Sequence, residues 1–270
     1  MIEIVRTFPR CPIRSVLFDF DGTLSLIREG WQEVMISFMT EILHQLDPDA
    51  AAADLRTHVN EYVTRLTGKQ TIYQMIQLAE EVRMRGGAPE DPLVYKHRYH
   101  DRLWQRIQER IEGLESGRYP PDDWLVPGSM GLLDNLRDRD IRMFLASGTD
   151  EVFVKREADL LGLTPHFNGH IYGAQDQYRL FSKKMVIRRV LSEENLKGSE
   201  FVAFGDGYVE IENTKEVGGV AVGVATEERL RSGAIDEWKR ERLIAAGADV
   251  IIPDFGEQER LVAYLAGETD

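Results

Sequence analysis

Short and almost continuously apolar runs recur along this chain, and they constrain its fold more than any other feature. Strands that are covered on both faces have this composition, whereas half-exposed strands alternate apolar and polar residues. Helical periodicity separates the runs, so the sequence predicts an α/β fold with a three-layer core built on a parallel sheet. The predicted strands are 15–20, 141–146, 167–172, 201–204, 220–224 and 249–252, and the predicted helices between them are 129–139, 151–161, 183–191, 210–216 and 258–265.

Residues 30–119 depart from this pattern, because apolar side chains recur there only at helical spacing. One of these helices is predicted to begin at Pro92, since proline is favoured in the first helical turn. The sequence therefore predicts an all-helical domain at 27–121, inserted into a core domain formed by 1–26 and 122–270. The apolar stripe predicted for the last of its helices is Leu93, His97, His100, Trp104, Ile107 and Ile111.

Acidic residues outnumber basic ones by 46 to 33, for a formal net charge of −13. A surface of that sign repels nucleic-acid phosphates and anionic lipids, so we expect neither nucleic acid nor a membrane as a partner. Cys11 is the only cysteine, the first residues lack a cationic leader with an apolar core, and no apolar run has the length of a membrane span. These features predict a cytoplasmic protein. The charged segment 229–244 is interpreted as an amphipathic surface helix without an assigned role.

The first predicted strand ends in two acids, Asp19 and Asp21, which are followed by Gly22 and Thr23. Residues two apart leave a strand on the same side, so both carboxylates point into one space at the carboxyl end of the strand, where open α/β sheets bind ligands. Two carboxylates that share one space repel each other, which favours either a cation bound between them or a raised pKa of one of the two. The alternative is a solvated turn, because Asp and Gly are common turn residues.

Two further motifs supply groups that can bind phosphate. The second long apolar run leads into Ser147-Gly148-Thr149, where hydroxyls and free backbone N–H groups before a helix form either a phosphate seat or an ordinary helix cap. Lys183 opens the next predicted helix. A lysine there can neutralise phosphate oxygens and clustered carboxylates, although a lysine pair such as Lys183-Lys184 is also typical of a solvated face.

A second acidic strand end follows at Asp206, with Glu210 and Glu212 a few residues further on. Hard carboxylate oxygens suit Mg²⁺, which keeps several waters and takes few carboxylates. The alternative for Asp206-Gly207 is an Asp-Gly turn.

In their order and spacing, the motifs at Asp19, Ser147, Lys183 and Asp206 resemble those of the haloacid dehalogenase (HAD) superfamily of phosphotransferases. The resemblance covers the whole chain, because the helical insertion after the first motif resembles the mobile C1 cap of the phosphoglucomutase- and phosphonatase-like branch. It implies a Rossmann-like core that requires Mg²⁺ and has a small phosphorylated metabolite as its partner.

The resemblance also implies a role for each motif residue. Asp19 is expected to be the nucleophile that forms an aspartyl-phosphate, and Asp21 the acid for the leaving oxygen and the base for water. Ser147 and Lys183 are expected to hold the transferring phosphoryl group. The implied Mg²⁺ ligands are the carboxylates of Asp19 and Asp206 with the backbone carbonyl of Asp21.

Two acidic positions bear on the place of this chain within the family. Glu210 stands where the family commonly has an aspartate, so Glu210, or Glu212 in its place, is the expected further contact of the metal. Asp21 is present, whereas the dehalogenase branch lacks an acid at this position, so carbon–halogen cleavage is not expected.

Substrate contacts are expected both beside the acidic motifs and in the helical domain, where residues 66–71 resemble the substrate-reading loop of capped relatives. A simple turn with a glycine cap is the alternative for this loop, and a surface arginine in a hinge is the alternative for Arg28. Gln70-Thr71 stands where β-phosphoglucomutases have a Ser-Arg pair, and this difference counts against the mutase interpretation without excluding it. The candidate substrate-binding residues are Gly148, Thr149, Gly68, Lys69, Gln70 and Arg28.

Together these expectations describe a Mg²⁺-dependent phosphatase that hydrolyses a small phosphomonoester, with a sugar phosphate as the leading substrate class, through an aspartyl-phosphate. A β-phosphoglucomutase-like phosphomutase is the first alternative, because the two activities differ in cap contacts rather than in core motifs. A phosphonatase, for which Lys69 is the candidate lysine, and a non-catalytic scaffold are the others. The sequence leaves a monomer and a homodimer equally open.

Overall fold

The computed structural model describes residues 1–8 and 11–268. No helix in those residues is both long and apolar enough to cross a membrane. The α-helices of the described residues are α1 (Trp31–Leu46), α2 (Ala52–Leu66), α3 (Thr71–Met84), α4 (Pro92–Glu115), α5 (Ser129–Asp138), α6 (Glu151–Leu160), α7 (Thr164–Phe167), α8 (Lys183–Glu193), α9 (Tyr208–Glu216), α10 (Glu237–Ala246) and α11 (Gln258–Leu265).

The strands of the described residues form one mixed sheet. They are β1 (Glu3–Ile4), β2 (Ser15–Phe18), β3 (Arg142–Asp150), β4 (Ile171–Ala174), β5 (Phe201–Gly205), β6 (Val220–Val224) and β7 (Val250–Ile252). Their order across the sheet is β1-β7-β6-β5-β2-β3-β4, and each neighbouring pair is parallel except β1 with β7. The predicted α/β class, with helices flanking a largely parallel sheet, is confirmed.

Two differences from the predicted strands have local causes. β1 is not detectable from the sequence, because a strand of two residues shows no periodicity. Phe167 ends the short helix α7 instead of opening a strand. Asn168 and Gly169 then take positive φ angles of 47° and 84°, which turn the chain before β4 begins at Ile171.

The chain divides into two compact units, which we describe separately. The core unit comprises Met1–Glu29 and Ile111–Asp270, and the helical unit is Gly30–Arg110. The predicted insertion, 27–121, is longer at both ends. At its start, the backbone N–H of Leu26 donates to the carbonyl of Trp124 (2.8 Å), which ties this part of the chain to the core unit. At its end, α4 runs without a break across the boundary, so no turn or proline marks it.

In the helical unit, the buried face of α4 differs from the predicted apolar stripe. Tyr95, Tyr99, Leu103 and Ile107 are buried, whereas His97 is exposed. These buried residues recur at every fourth position, and their rings and aliphatic chains remove more apolar surface from water than a row containing histidines does. Of the predicted stripe, only Ile107 and Ile111 are buried, because Leu93, His97, His100 and Trp104 are all at least partly exposed.

The predicted surface helix at 229–244 is wrong in its bounds, whereas most of its residues are exposed or partly exposed, as expected of an amphipathic surface element. α10 begins only at Glu237, because Arg231 and Gly233 take positive φ angles of 50° and 71° that a helix cannot contain. Thr226 and Ile235 pair in an isolated antiparallel bridge, so the residues between them form an irregular excursion. Lys239 in α10 is only 8% exposed.

The carboxyl end of β2 determines where chemistry-bearing residues meet in the core unit. Phe18 pairs in register with Leu145 of β3 on one side and with Phe204 of β5 on the other. Parallel strands end at the same edge of a sheet, so the residues that follow these three positions converge. Those residues are Asp19, Ser147 and Asp206.

Phe18 should contribute strongly to stability, because its fully buried ring stacks on Phe204 (centroids 5.0 Å apart) and meets the edge of Phe167 (6.2 Å). We expect Phe18→Ala to lower the free energy of unfolding by about 3–5 kcal/mol, because the deletion leaves a cavity that the sheet cannot close. Urea denaturation of both proteins measures the difference. A loss below about 1 kcal/mol would show that the site collapses around the missing ring.

Candidate active site

Asp19 lies directly after β2 and is only 5% exposed. Its backbone N–H donates to the carbonyl of Phe204 (2.9 Å), and its Oδ1 accepts from the N–H of Phe20 (2.7 Å). The same Oδ1 lies 2.8 Å from the Lys183 Nζ. Burial raises the pKa of Asp19 to about 6, the Lys183 ammonium opposes that rise, and the carboxylate of Asp206 adds to it.

Lys183 is the first residue of α8, and the start of this helix fixes where it points. Ser182 caps the helix, because its Oγ accepts from the N–H of Met185 (3.1 Å). Lys183 is thereby buried against Asp19, whereas Lys184 forms a partly exposed ion pair with Glu216 (2.7 Å). The structure thus places the first lysine of the pair, not the second, in the candidate site.

Glu210 lies beside Lys183 in the candidate site. Its fully buried carboxylate forms an ion pair with the Lys183 ammonium, from the first turn of α9. Glu212, the alternative, is exposed on the same helix. Lys183 is buried beside Asp19 already, and Glu210 supplies the second negative charge that stabilises its ammonium. Glu210 is therefore placed to orient Lys183. A metal contact by Glu210 or Glu212 stays a prediction.

Asp21 is surrounded by hydroxyl groups. Its Oδ2 accepts from Thr149 Oγ1 (2.8 Å) and from Ser147 Oγ (3.3 Å), and Ser147 Oγ itself accepts from the Thr149 N–H (3.0 Å). Burial raises the pKa of Asp21 to about 6, the Arg28 guanidinium opposes this rise, and Glu157 adds to it. A carboxyl group with that pKa exchanges its proton readily near neutral pH, which suits a general acid and base.

The segment that contains Ser147, Gly148 and Thr149 is strand rather than a helix start. β3 continues to Asp150, with a shift in its register against β4 after Ala146, and α6 begins only at Glu151. The helix begins two residues after Thr149, and a phosphate contact at these residues stays a prediction. These residues bring their hydroxyls to Asp21, and Gly148 lies between them, partly exposed.

Arg28 is buried, so the interpretation as a surface arginine in a hinge is wrong. It forms a two-point ion pair with Glu157 of α6, with distances of 2.6 Å from Nη2 to Oε1 and 3.0 Å from Nε to Oε2. Its Nε also lies 3.8 Å from Asp21 Oδ1. Sequence reasoning missed Glu157, although an acid beside the buried Val154 and Ala158 of α6 was a detectable signal.

Asp206 also has a cationic neighbour that the sequence did not indicate. The Lys239 Nζ of α10 lies 3.0 Å from Asp206 Oδ2 and 2.5 Å from Glu228 Oε1. Burial lowers the pKa of Lys239, but these two carboxylates raise it by more than burial lowers it. The pKa therefore lies above its ordinary value, and the side chain stays charged. Burial raises the pKa of Glu228 in turn.

The groups that can hold a divalent cation are the carboxylates of Asp19 and Asp206 and the backbone carbonyl of Asp21. A Cβ on Gly22, whose φ is +75°, would lie 2.3 Å from Asp206 Oδ2. The Asp206 carboxylate therefore lies directly against the loop that follows β2 and contains Asp21 and Gly22. Within the described chain no three or more His, Cys, Asp or Glu side chains form a complete metal cluster. The donor set of hard oxygens fits Mg²⁺, which takes its remaining ligands from water.

The loop in the helical unit has the geometry of a turn between α2 and α3. Gly68 takes a positive φ of 91°, Lys69 is exposed, and Gln70 is buried at the residue before α3. Lys69 and Gln70 therefore remain predictions as substrate contacts.

The carboxyl edge of the central strands brings together two acids, hydroxyls, a buried lysine and a third acid. In an α/β core, this set of groups defines a hydrolase of the phosphotransfer type. The chain belongs to the haloacid dehalogenase-like hydrolases, because the model of that family matches residues 13–218. The predicted family is thus confirmed. No curated protein matches the chain.

Solved structures share its fold at low sequence identity. A predicted phosphatase from Clostridium acetobutylicum is 19% identical, with a TM-score of 0.58 over 93% of this chain and 99% of that one. A beta-phosphoglucomutase from Clostridium difficile is 15% identical, with a TM-score of 0.55 over 86% and 98%. A HAD family hydrolase from Deinococcus radiodurans, solved with bound phosphate and sodium, is 17% identical, with a TM-score of 0.54 over 94% and 96%.

Proposed function

We propose that this hydrolase is a Mg²⁺-dependent phosphatase that cleaves a small phosphomonoester, with a sugar phosphate as the leading substrate class, through an aspartyl-phosphate on Asp19. The observation that carries the proposal is that the buried carboxyl group of Asp19 and the partly exposed carboxyl group of Asp21 have different partners. Asp19 lies against the ammonium of Lys183, whereas Asp21 is held by the hydroxyls of Ser147 and Thr149. Such a pair can divide the roles of nucleophile and acid.

The chain's own residues account for each step of this reaction. An oxygen of Asp19 attacks phosphorus while the phosphorus–oxygen bond of the ester breaks, and protonated Asp21 gives its proton to the leaving oxygen. Ionised Asp21 then takes a proton from water, which attacks phosphorus and releases inorganic phosphate from Asp19. Lys183 and Ser147 hold the oxygens of the transferring group. Asp19, Asp206 and the Asp21 carbonyl would hold Mg²⁺, which would supply positive charge against the repulsion between an anionic phosphate and Asp19.

A phosphomutase is the second candidate, favoured by the fold shared with a beta-phosphoglucomutase. It would pass the phosphoryl group from Asp19 to a hydroxyl of a second substrate instead of to water. The hydrolase fold with bound phosphate supports a phosphoryl ligand for either activity.

Release of inorganic phosphate separates the two activities. The purified protein should be incubated with Mg²⁺ and a panel of metabolite phosphates, with EDTA added to a parallel set. Steady release from a few sugar phosphates that EDTA abolishes supports the phosphatase. Isomerised product without released phosphate would replace it with the mutase, and turnover that persists in EDTA would remove Mg²⁺ from the proposal.

Glu157→Gln should move the alkaline limb of the kcat/KM pH profile to lower pH by about one unit. Glu157 raises the pKa of Asp21 and Arg28 lowers it, so loss of the Glu157 charge leaves the guanidinium effect uncompensated. Asp21 then loses its catalytic proton at a lower pH. The profile of Glu151→Gln, an acid on the same helix that pairs with Lys155, is the control and should match the parent protein. A limb that stays in place or moves upward would contradict the expectation.

A further inference from the structure

The ammonium of Lys239 is shared between two carboxylates, and one of them is the proposed metal ligand Asp206. The distances are 3.0 Å to Asp206 Oδ2 and 2.5 Å to Glu228 Oε1. The start of α10 fixes this lysine, because its backbone N–H donates to Oδ1 of Asp236, the residue that caps the helix (3.0 Å). Lys239 therefore reaches the site from an element that none of the motif residues occupies.

The carboxylates of Asp206 and Glu228 both lie close to Gly22, in the loop that follows β2. A Cβ on Gly22 would lie 2.3 Å from Asp206 Oδ2 and 3.0 Å from Glu228 Oε1. Gly22 follows Asp21, whose carbonyl is a proposed metal ligand. The ammonium thus neutralises Asp206 at the edge where the divalent cation is expected, and two cations that close repel each other.

We propose that Lys239 competes with the divalent cation for Asp206, and that Glu228 keeps the ammonium when the cation binds. This inference rests on the proposed function, since it requires a divalent ion at Asp206. Without the ion, Lys239 balances the charge of the half-buried Asp206 carboxylate. With the ion, the lysine retains one carboxylate and Asp206 turns to the metal. Lys239 is a positioning residue, because it acts through Asp206.

The proposal predicts opposite effects for the two partners of the ammonium. Lys239→Met keeps the length and packing of the side chain and removes its charge, so it should tighten the binding of Mn²⁺, a hard-ion substitute for Mg²⁺, at least tenfold. Glu228→Gln leaves Asp206 as the remaining acid for the ammonium and should weaken binding. Lys239→Arg keeps the charge and should bind as weakly as the parent protein.

Isothermal titration of the metal-free protein with MnCl₂, without substrate, measures these affinities independently of turnover. Lys184→Met is the matched control, because it removes the same charge from a partly exposed lysine paired with Glu216. It should leave the affinity unchanged. If Lys239→Met does not fold, the weaker binding expected of Glu228→Gln carries the test.

The outcomes separate this inference from the proposed function. If Asp206→Asn abolishes Mn²⁺ binding, the metal site is real. If Lys239→Met then binds Mn²⁺ no more tightly than the parent protein, the proposal that Lys239 competes with the cation is overturned, while the metal site stands. Tighter binding by Lys184→Met as well would reduce the effect to net charge and overturn it too. If neither the parent nor Lys239→Met binds Mn²⁺, both proposals fail.

Discussion

Asp19→Asn is expected to abolish turnover, with a loss of at least about 10⁴-fold in kcat. The amide is nearly isosteric with the carboxylate, and its oxygen can still accept the Phe20 N–H bond, but it cannot act as the nucleophile toward phosphorus. Lys183 keeps Glu210 as a counter-charge, so the surrounding site should persist. The measurement is phosphate release from the best substrate of the panel.

Two observations complete this test. Asp159→Asn, the same substitution at an exposed position of α6, should keep full activity. In the parent protein, rapid acid quenching should give a peptide containing residue 19 with a phosphate that hydroxylamine removes. A folded Asp19→Asn protein with more than about one-hundredth of the parent activity would contradict covalent catalysis by Asp19.

Much of the core site is predictable, because each of its main residues is attached to a strong local signal. Asp19 and Asp206 end apolar strands, and Lys183 follows a serine at a helix start. The register of β2 with its two neighbours then brings these ends together, as parallel strands require. The local pattern was sufficient here because it determined both the element and its direction.

The ion pairs that flank Asp21 and Asp206 are not predictable in the same way. Arg28 meets Glu157 across 129 positions of sequence, and Lys239 meets Asp206 across 33. In a sequence, a charged residue such as Lys239 is indistinguishable from a solvated one until the packing of α10 is known. Ser147 shows the reverse case, because hydroxyl-rich residues before a helix suggest a cap, whereas the pairing of β3 with β4 extends the strand through them.

Asp21→Asn is expected to lower kcat/KM by about 10²–10⁴-fold for alkyl phosphates, because the alkoxide that leaves needs a proton in the transition state. p-Nitrophenyl phosphate has a leaving group that departs without protonation, so formation of the aspartyl-phosphate should be nearly unchanged for this ester. Hydrolysis of the intermediate still requires a base, which the amide cannot provide.

The variant should therefore release one equivalent of p-nitrophenol per enzyme in a rapid burst and then turn over slowly, with phosphate retained on Asp19. Stopped-flow absorbance measures the burst, and Asp19→Asn should show none. The hydroxyls of Ser147 and Thr149, which now donate to Asp21 Oδ2, can donate equally to the amide oxygen of asparagine, so the local geometry should be preserved. An equal loss for both esters, without a burst, would assign the proton transfers to another group and leave Asp21 with its backbone carbonyl as its contribution.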